Sequence, residues 1–225
     1  MSHKRLSLLT FTAPVSRRAY VLVVDEASPR AVFTRRILTD IGFDVSMVRC
    51  TPDADKVLSN RLSMQQIYRT ILESADDWAY VFEDDINTLA TIRLDEIVEY
   101  EAISAKYFYL GVCLDTDSRI FRRNGKSVRG HNVVAVSNCA GLHAIGICKE
   151  GATALLKASS AAGSSPYMDR VLGQYSIKHS ANVVRFDLKS RCFGHRGVLF
   201  QDRDAFPSLI SNSNKNAAAP KESTL

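Results

Sequence analysis

Trp78-Ala79-Tyr80-Val81-Phe82 runs directly into Glu83-Asp84-Asp85 and then into Ile86-Asn87. The apolar part is short, aromatic and β-branched, and it lacks the 3.6-residue spacing of an amphipathic helix. Such a run predicts a strand buried on both faces, as in a parallel sheet. Three successive carboxylates at its end repel one another and need a counter-charge, for which a divalent cation with oxygen ligands is the usual answer. An acidic run by itself is ordinarily a solvated face. What marks this one is its place after a buried strand, where open α/β sheets gather their ligands.

Upstream, residues 19–24 (Ala-Tyr-Val-Leu-Val-Val) predict a first buried strand ended by Asp25-Glu26. Pro29 suits a first helical turn, Ala31, Val32, Phe33, Ile37 and Leu38 supply the stripe, and Gly42 stops the helix. Residues 43–50 alternate apolar and polar, a second strand. Thr51-Pro52-Asp53 opens a loop, and residues 55–74 predict a long helix with Val57, Leu58, Leu62, Ile67, Ile71 and Leu72 inward. The first 90 residues therefore read βαβαβ, a mononucleotide-binding half-sheet.

Downstream, residues 94–104 predict a short helix and 106–113 a strand. Residues 114–129 read as a mobile basic loop carrying Arg119, Arg122, Arg123, Lys126 and Arg129. Residues 132–137 and 141–148 resemble two strands joined by a tight turn. Helices over 149–159 and 166–175 and a last strand over 182–188 complete the chain. The expected architecture is one α/β domain over residues 19–210, a Rossmann-like half followed by a mixed-sheet half. An N-terminal arm (1–18) precedes it, and a polar tail (211–225) without apolar residues to bury is expected to be disordered.

The 225 residues are 46% hydrophobic and 24% charged, enough for a sizeable core. A net charge of +5 favours anionic ligands mildly, but no basic block is interleaved with aromatics, so nucleic acid is not an expected partner. Five cysteines, odd in number and without Cys-x-x-Cys spacing, suggest reduced thiols and a cytoplasmic location. No window approaches the ~20 apolar residues of a membrane span. Peripheral contact with a membrane surface stays open.

Val21-Leu22-Val23-Val24-Asp25-Glu26, Arg35-Arg36-Ile37-Leu38 and Gly42-Phe43-Asp44-Val45 resemble a response-regulator receiver domain, a metal-binding signalling module. That likeness ends at the second helix, which is long here, and no later strand ends in Thr or Lys at receiver spacing. Nearly the whole chain resembles the family 25 glycosyltransferases of lipooligosaccharide biosynthesis. The matching motifs are the turn from Asp25 to Arg30 with its Pro and Arg, Leu62-Ser63-Met64-Gln65-Gln66-Ile67-Tyr68, and Tyr80-Val81-Phe82-Glu83-Asp84-Asp85. Tyr107-Phe108-Tyr109-Leu110-Gly111, the Gly151-Ala152 pair and Pro166-Tyr167-Met168-Asp169 follow in family order. One departure is Met64, where the family usually has His.

The resemblance implies a GT-A fold and a metal-dependent transferase, with Mn²⁺ or Mg²⁺ as cofactor, a UDP-sugar as donor and a glycan as acceptor. Alternate side chains on an extended segment share a side, so Glu83 and Asp85 are the expected metal ligands, with Asp84 toward ribose or a neighbouring backbone. GT-A enzymes often add a C-terminal histidine ligand, and His195, between Gly194 and Gly197, is the candidate. His143 lies in an apolar run and reads as a core residue; His131 is weaker, and His179 reads as surface. Asp25, Arg30, Asp84 and Arg196 are the expected donor-binding residues, with Arg30, Arg196 and the basic loop available to diphosphate or an anionic acceptor. Asp169 has the position of the base of an inverting transfer, with Asp187, Asp202 and Asp204 as substitutes. A non-catalytic sugar-nucleotide-binding relative would share all but the last role.

Overall fold

Local signals explain the first elements. In the computed structural model, which describes residues 16–113, 121–136, 140–161, 167–178, 181–185, 188–190 and 195–207, strand β1 (Arg18–Val23) leads into helix α1 (Pro29–Ile41). Ser28 caps α1 by accepting from the Ala31 amide at 3.3 Å, a contact worth about 1 kcal/mol. Gly42 ends it at φ 111°, its amide donating to the Leu38 and Thr39 carbonyls. Strand β2 (Asp44–Arg49) follows, then helix α2 (Lys56–Glu73), whose N-cap Asp55 accepts from the amides of Val57 and Leu58. Strand β3 (Trp78–Glu83) gives way at the acids to a short strand β4 (Ile86–Thr88).

The rest comprises α3 (Leu94–Ile97) with a 3-10 turn (Val98–Ile103), then β5 (Tyr107–Cys113), β6 (Phe121–Val128), β7 (His131–Val136) and β8 (Ala140–Cys148). Helices α4 (Lys149–Ala161) and α5 (Met168–Lys178) and strands β9 (Ala181–Val183), β10 (Arg196–Gly197) and β11 (Leu199–Gln201) complete it. Among the described residues one mixed sheet runs β2-β1-β3-β8-β5-β9-β7-β6, with β10 on β5. The pairs β1–β2, β1–β3 and β5–β9 are parallel, whereas β8 is antiparallel to both β3 and β5. β4 and β11 form a separate antiparallel ribbon. The described part is thus a single mixed α/β domain.

Both faces of the sheet are covered, which is why its central strands are apolar throughout. On one face Tyr20, Val81, Tyr109 and Ile145 pack under α2, α4 and α5 through Met64, Ile67, Tyr68, Leu155 and Leu172. On the other, Val21, Tyr80, Phe82 and Phe108 pack under α1 and the 94–103 segment through Leu38, Ile41, Ile97 and Tyr100. Each such fully buried side chain is worth about 1.5–3 kcal/mol.

Several expectations need correction. Residues 121–128 are not part of a mobile loop but strand β6, paired antiparallel with β7. Strands β7 and β8 are not a hairpin: β7 pairs with β6 and β9, while β8 inserts between β3 and β5. The buried face of α2 is Ser59, Ser63, Met64, Ile67, Tyr68 and Ile71, and Val57, Leu58 and Leu62 are only partly covered. The polar positions are buried because Ser59 Oγ donates to the Thr51 carbonyl at 2.6 Å and Ser63 Oγ accepts from the Thr51 amide at 2.8 Å. The strand expected over 182–188 is three residues long, ending before a turn at Val184 and Arg185. Among the described residues no helix is long and apolar enough to cross a membrane. The N-terminal arm up to residue 15, the polar tail, Arg119, His179 and Asp187 lie outside the described residues.

Candidate functional site

A cleft of about 750 Å³ opens at the carboxyl ends of β1, β2 and β3. β1 lies between β2 and β3: α1 carries the chain from β1 out to β2, and α2 carries it back past β1 to β3, so the direction of winding reverses beside β1 and a crevice forms there. Leu22, Val24 and Pro52 give the cleft an apolar wall, and Val24 is 57% exposed there. Thr51, Asp53 and Asn60 add polar groups, and the loop bearing Thr51 is fixed by the two α2 serines. Arg30, Arg49, Lys56 and Arg203 line it as cations, facing Glu83, Asp84 and Asp85.

The acids are held close by arginine. Arg30 Nη2 lies 2.7 Å from Asp84 Oδ1 and 3.1 Å from Asp85 Oδ2, and Arg203 Nη1 lies 3.1 Å from the same Asp85 oxygen. Glu83 Oε2 accepts from the Gln201 amide, whose nitrogen is also 3.5 Å from Asp85 Oδ1. Glu83 and Asp85 thus converge on one point, as alternate residues at a strand end should. Burial, then the neighbouring Asp85 charge, pushes the Glu83 carboxyl up to about 8. Burial pushes Asp84 up to about 6 against the opposing pull of Arg30. Asp85 is raised for the same first reason, although Arg203 and Arg30 oppose it. The two guanidiniums balance Asp84 and Asp85 while Glu83 keeps its proton, and the oxygen donors of Glu83 and Asp85 fit a hard divalent cation whose binding would displace that proton.

His195 is placed elsewhere. Its buried ring packs on Cys113, with Sγ 3.2 Å from Nδ1 and 3.3 Å from Nε2, and its centroid is 5.1 Å from that of His143. Burial lowers His195 to about 4, lowers His143 well below its usual value and raises the Cys113 thiol to about 12. Gln201 joins the two clusters, since its Oε1 is 3.9 Å from Cys113 Sγ. Asp169, in the first turn of α5, accepts from the Arg170 amide at 2.7 Å and is raised by burial. Its charge contributes to the upward shifts of both Glu83 and Cys113, which places it near both clusters.

Arg30, Glu83, Asp84 and Asp85 are therefore brought together, with Asp169 in their electrostatic neighbourhood. Asp25 is exposed and closes its own turn, its Oδ1 accepting from the Ala27 amide at 3.0 Å. The acid pairing that a receiver site requires between the first and third strand ends is not assembled. Arg196 sits in β10 opposite Val112, outside the cleft lining. Met64 is fully buried in the core and does not reach the cleft. Sequence reasoning missed Arg203, Gln201 and Cys113, and treated His143 as core. The short apolar run Val198-Leu199-Phe200 before Gln201 and Arg203 was a readable strand signal, but its pairing with Ile86–Thr88 was not. Among the described residues Cys50, Cys113 and Cys148 are free thiols. Comparison with known protein families finds no family model that matches the chain, and comparison with curated proteins finds no matching sequence.

Proposed function

We propose that the chain is a metal-dependent glycosyltransferase that binds a nucleotide-activated sugar, a UDP-sugar by the family 25 resemblance, in the cleft at the ends of β1, β2 and β3. The observation that carries this reading is the convergence of Glu83 and Asp85 at the mouth of a nucleotide-type crevice rimmed by cations. A GT-A arrangement is supported by the βαβαβ start, the acids ending the third strand, and the β4–β11 ribbon that continues from them.

Leu22, Val24 and Pro52 offer a flat apolar wall for a base, and Asp53 or Asp84 an acceptor for ribose hydroxyls. Arg49 and Lys56 bring positive charge for the diphosphate, and Arg30 and Arg203 keep the acids paired. A Mn²⁺ or Mg²⁺ ion held by Glu83 and Asp85 supplies Lewis-acid neutralisation of the leaving diphosphate. Asp169 receives the acceptor hydroxyl proton on a carboxylate oxygen as the hydroxyl oxygen bonds to the anomeric carbon and the diphosphate departs. Its burial raises its basicity for that task.

The test is a melting measurement with UDP and Mn²⁺, together and singly, and with acetyl phosphate and Mg²⁺ as the receiver-type control. Stabilisation by UDP only when Mn²⁺ is present is expected, with its loss in Asp85→Ala and an unaltered Asp85→Ala fold by circular dichroism. Equal UDP binding by Asp85→Ala and wild type would remove the acids from the site. Binding without release of UDP from any UDP-sugar would favour the non-catalytic relative.

A further inference from the structure

Cys113 ends β5, His143 lies in β8, and His195 precedes β10, three segments that pair side by side in the sheet. Their ligand atoms all lie within 4.8 Å of one another, and His143 and His195 are 0% and 1% exposed. Neither nitrogen of the His143 ring makes a hydrogen bond of good geometry, although the Leu199 carbonyl lies near enough to favour a proton on the ring. A thiol bonded to an imidazole sits on the in-plane axis of one nitrogen and is clearly further from the other. Cys113 Sγ is almost equidistant from both nitrogens of His195, so it lies on neither axis. Two buried imidazoles and a half-buried thiol thus face one another through poorly directed contacts, and a buried polar group without a well-aligned partner costs free energy. Gly111 lets the Leu199 carbonyl and the His143 ring come this close to β5: a Cβ there would lie 2.7 Å from His143 Nε2 and 1.9 Å from the Leu199 carbonyl oxygen.

We propose that Cys113, His143 and His195 bind a zinc ion through one thiolate and two imidazoles, with the fourth position facing Gln201. A tetrahedral zinc centre with these ligands sets donor atoms about 3.5 Å apart; Cys113 Sγ is 3.2 and 3.3 Å from the His195 nitrogens and the whole set lies within 4.8 Å. The thiolate separates this site in kind from the all-oxygen carboxylate pair, which suits Mn²⁺ or Mg²⁺. The ion would pin the segment from His195 to Arg203 onto β5 and β8. That segment also delivers Gln201 and Arg203 to Glu83 and Asp85, so zinc would order the partners of the acid cluster without joining it.

The test is a Co²⁺ titration of the reduced, metal-free full chain, read by absorption. One equivalent should produce a near-ultraviolet thiolate-to-cobalt band and strong visible bands of tetrahedral Co²⁺, both displaced by Zn²⁺. Zinc should also raise the melting temperature by several degrees. Cys113→Ser should lose the thiolate band, and Asp85→Ala should keep it. Absence of the band in the wild-type chain overturns the proposal whatever the variants do. So does its persistence in Cys113→Ser, which would put the ion on another thiol, or its loss in Asp85→Ala, which would put the ion among the carboxylates.

Discussion

The Glu83 carboxyl keeps its proton to about pH 8 in the folded chain, against an ordinary value of 4.5. Between those values the folded chain binds a proton that the unfolded chain has lost, so stability falls as pH rises. Asp84 acts in the same direction but is finished by about 6. His143 and His195, lowered by burial, act in the opposite direction, and only below their ordinary 6.5. The window from about pH 7 to 8 therefore reports chiefly on Glu83, with Asp85 and Asp169, also raised by burial, acting in the same direction. Metal-free protein should lose stability across it, by at most about 1.4 kcal/mol per pH unit for one proton. Urea unfolding at several pH values checks this, and Glu83→Gln should flatten the slope. A wild-type stability that rises through the window would contradict the burial of this carboxyl.

Strand β5 shows how one element shapes the site. Its pairing with β8 is irregular on both sides of Gly111, and β10 and the Leu199 carbonyl approach it from the other side. A side chain at 111 would collide with backbone, which cannot rotate away as a flexible side chain can. Gly130, in the β6–β7 turn, needs glycine for a different reason: φ is +78° and nothing lies within 4 Å of an added Cβ. Gly130→Ala should cost about 1–2 kcal/mol in left-handed strain, whereas Gly111→Ala should cost about 3 kcal/mol or more. Chemical denaturation of the two variants orders them, and the reverse order would mean that β11 does not press on β5.

The whole molecule assembles the site from distant parts of the chain. Acids from the third strand meet Arg30 from α1, Gln201 and Arg203 from the last segment, and the field of Asp169 from α5. The cleft is built almost entirely by residues 22–85, with Arg203 added, while Asp169 belongs to the later half. Donor binding and acceptor activation should therefore separate. Asp169→Asn should lower turnover by about 10²–10⁴-fold and leave UDP–Mn²⁺ binding unchanged. A helix-terminal acid with no catalytic part would lose only a little stability in the same variant, and a normal rate would send the base to Asp202 or Asp204.

What the sequence determined by itself is local. Ser28, Pro29, Gly42 and Asp55 announce the ends of α1 and α2 because capping acts within a few residues. The apolar run before Glu83 announces β3 because burial on both faces leaves no polar alternation. The placement of three acids at a strand end was readable for the same reason. Only the tertiary structure decided that β8 inserts between β3 and β5, that 121–128 is a strand, and that Cys113, His143 and His195 meet. Pairing between distant strands leaves no periodic trace, and a one-residue slip would turn His143 to the other face of the sheet. Arg203 was illegible likewise, since its partner Asp85 is reached through the β4–β11 ribbon and not through any neighbour in the chain.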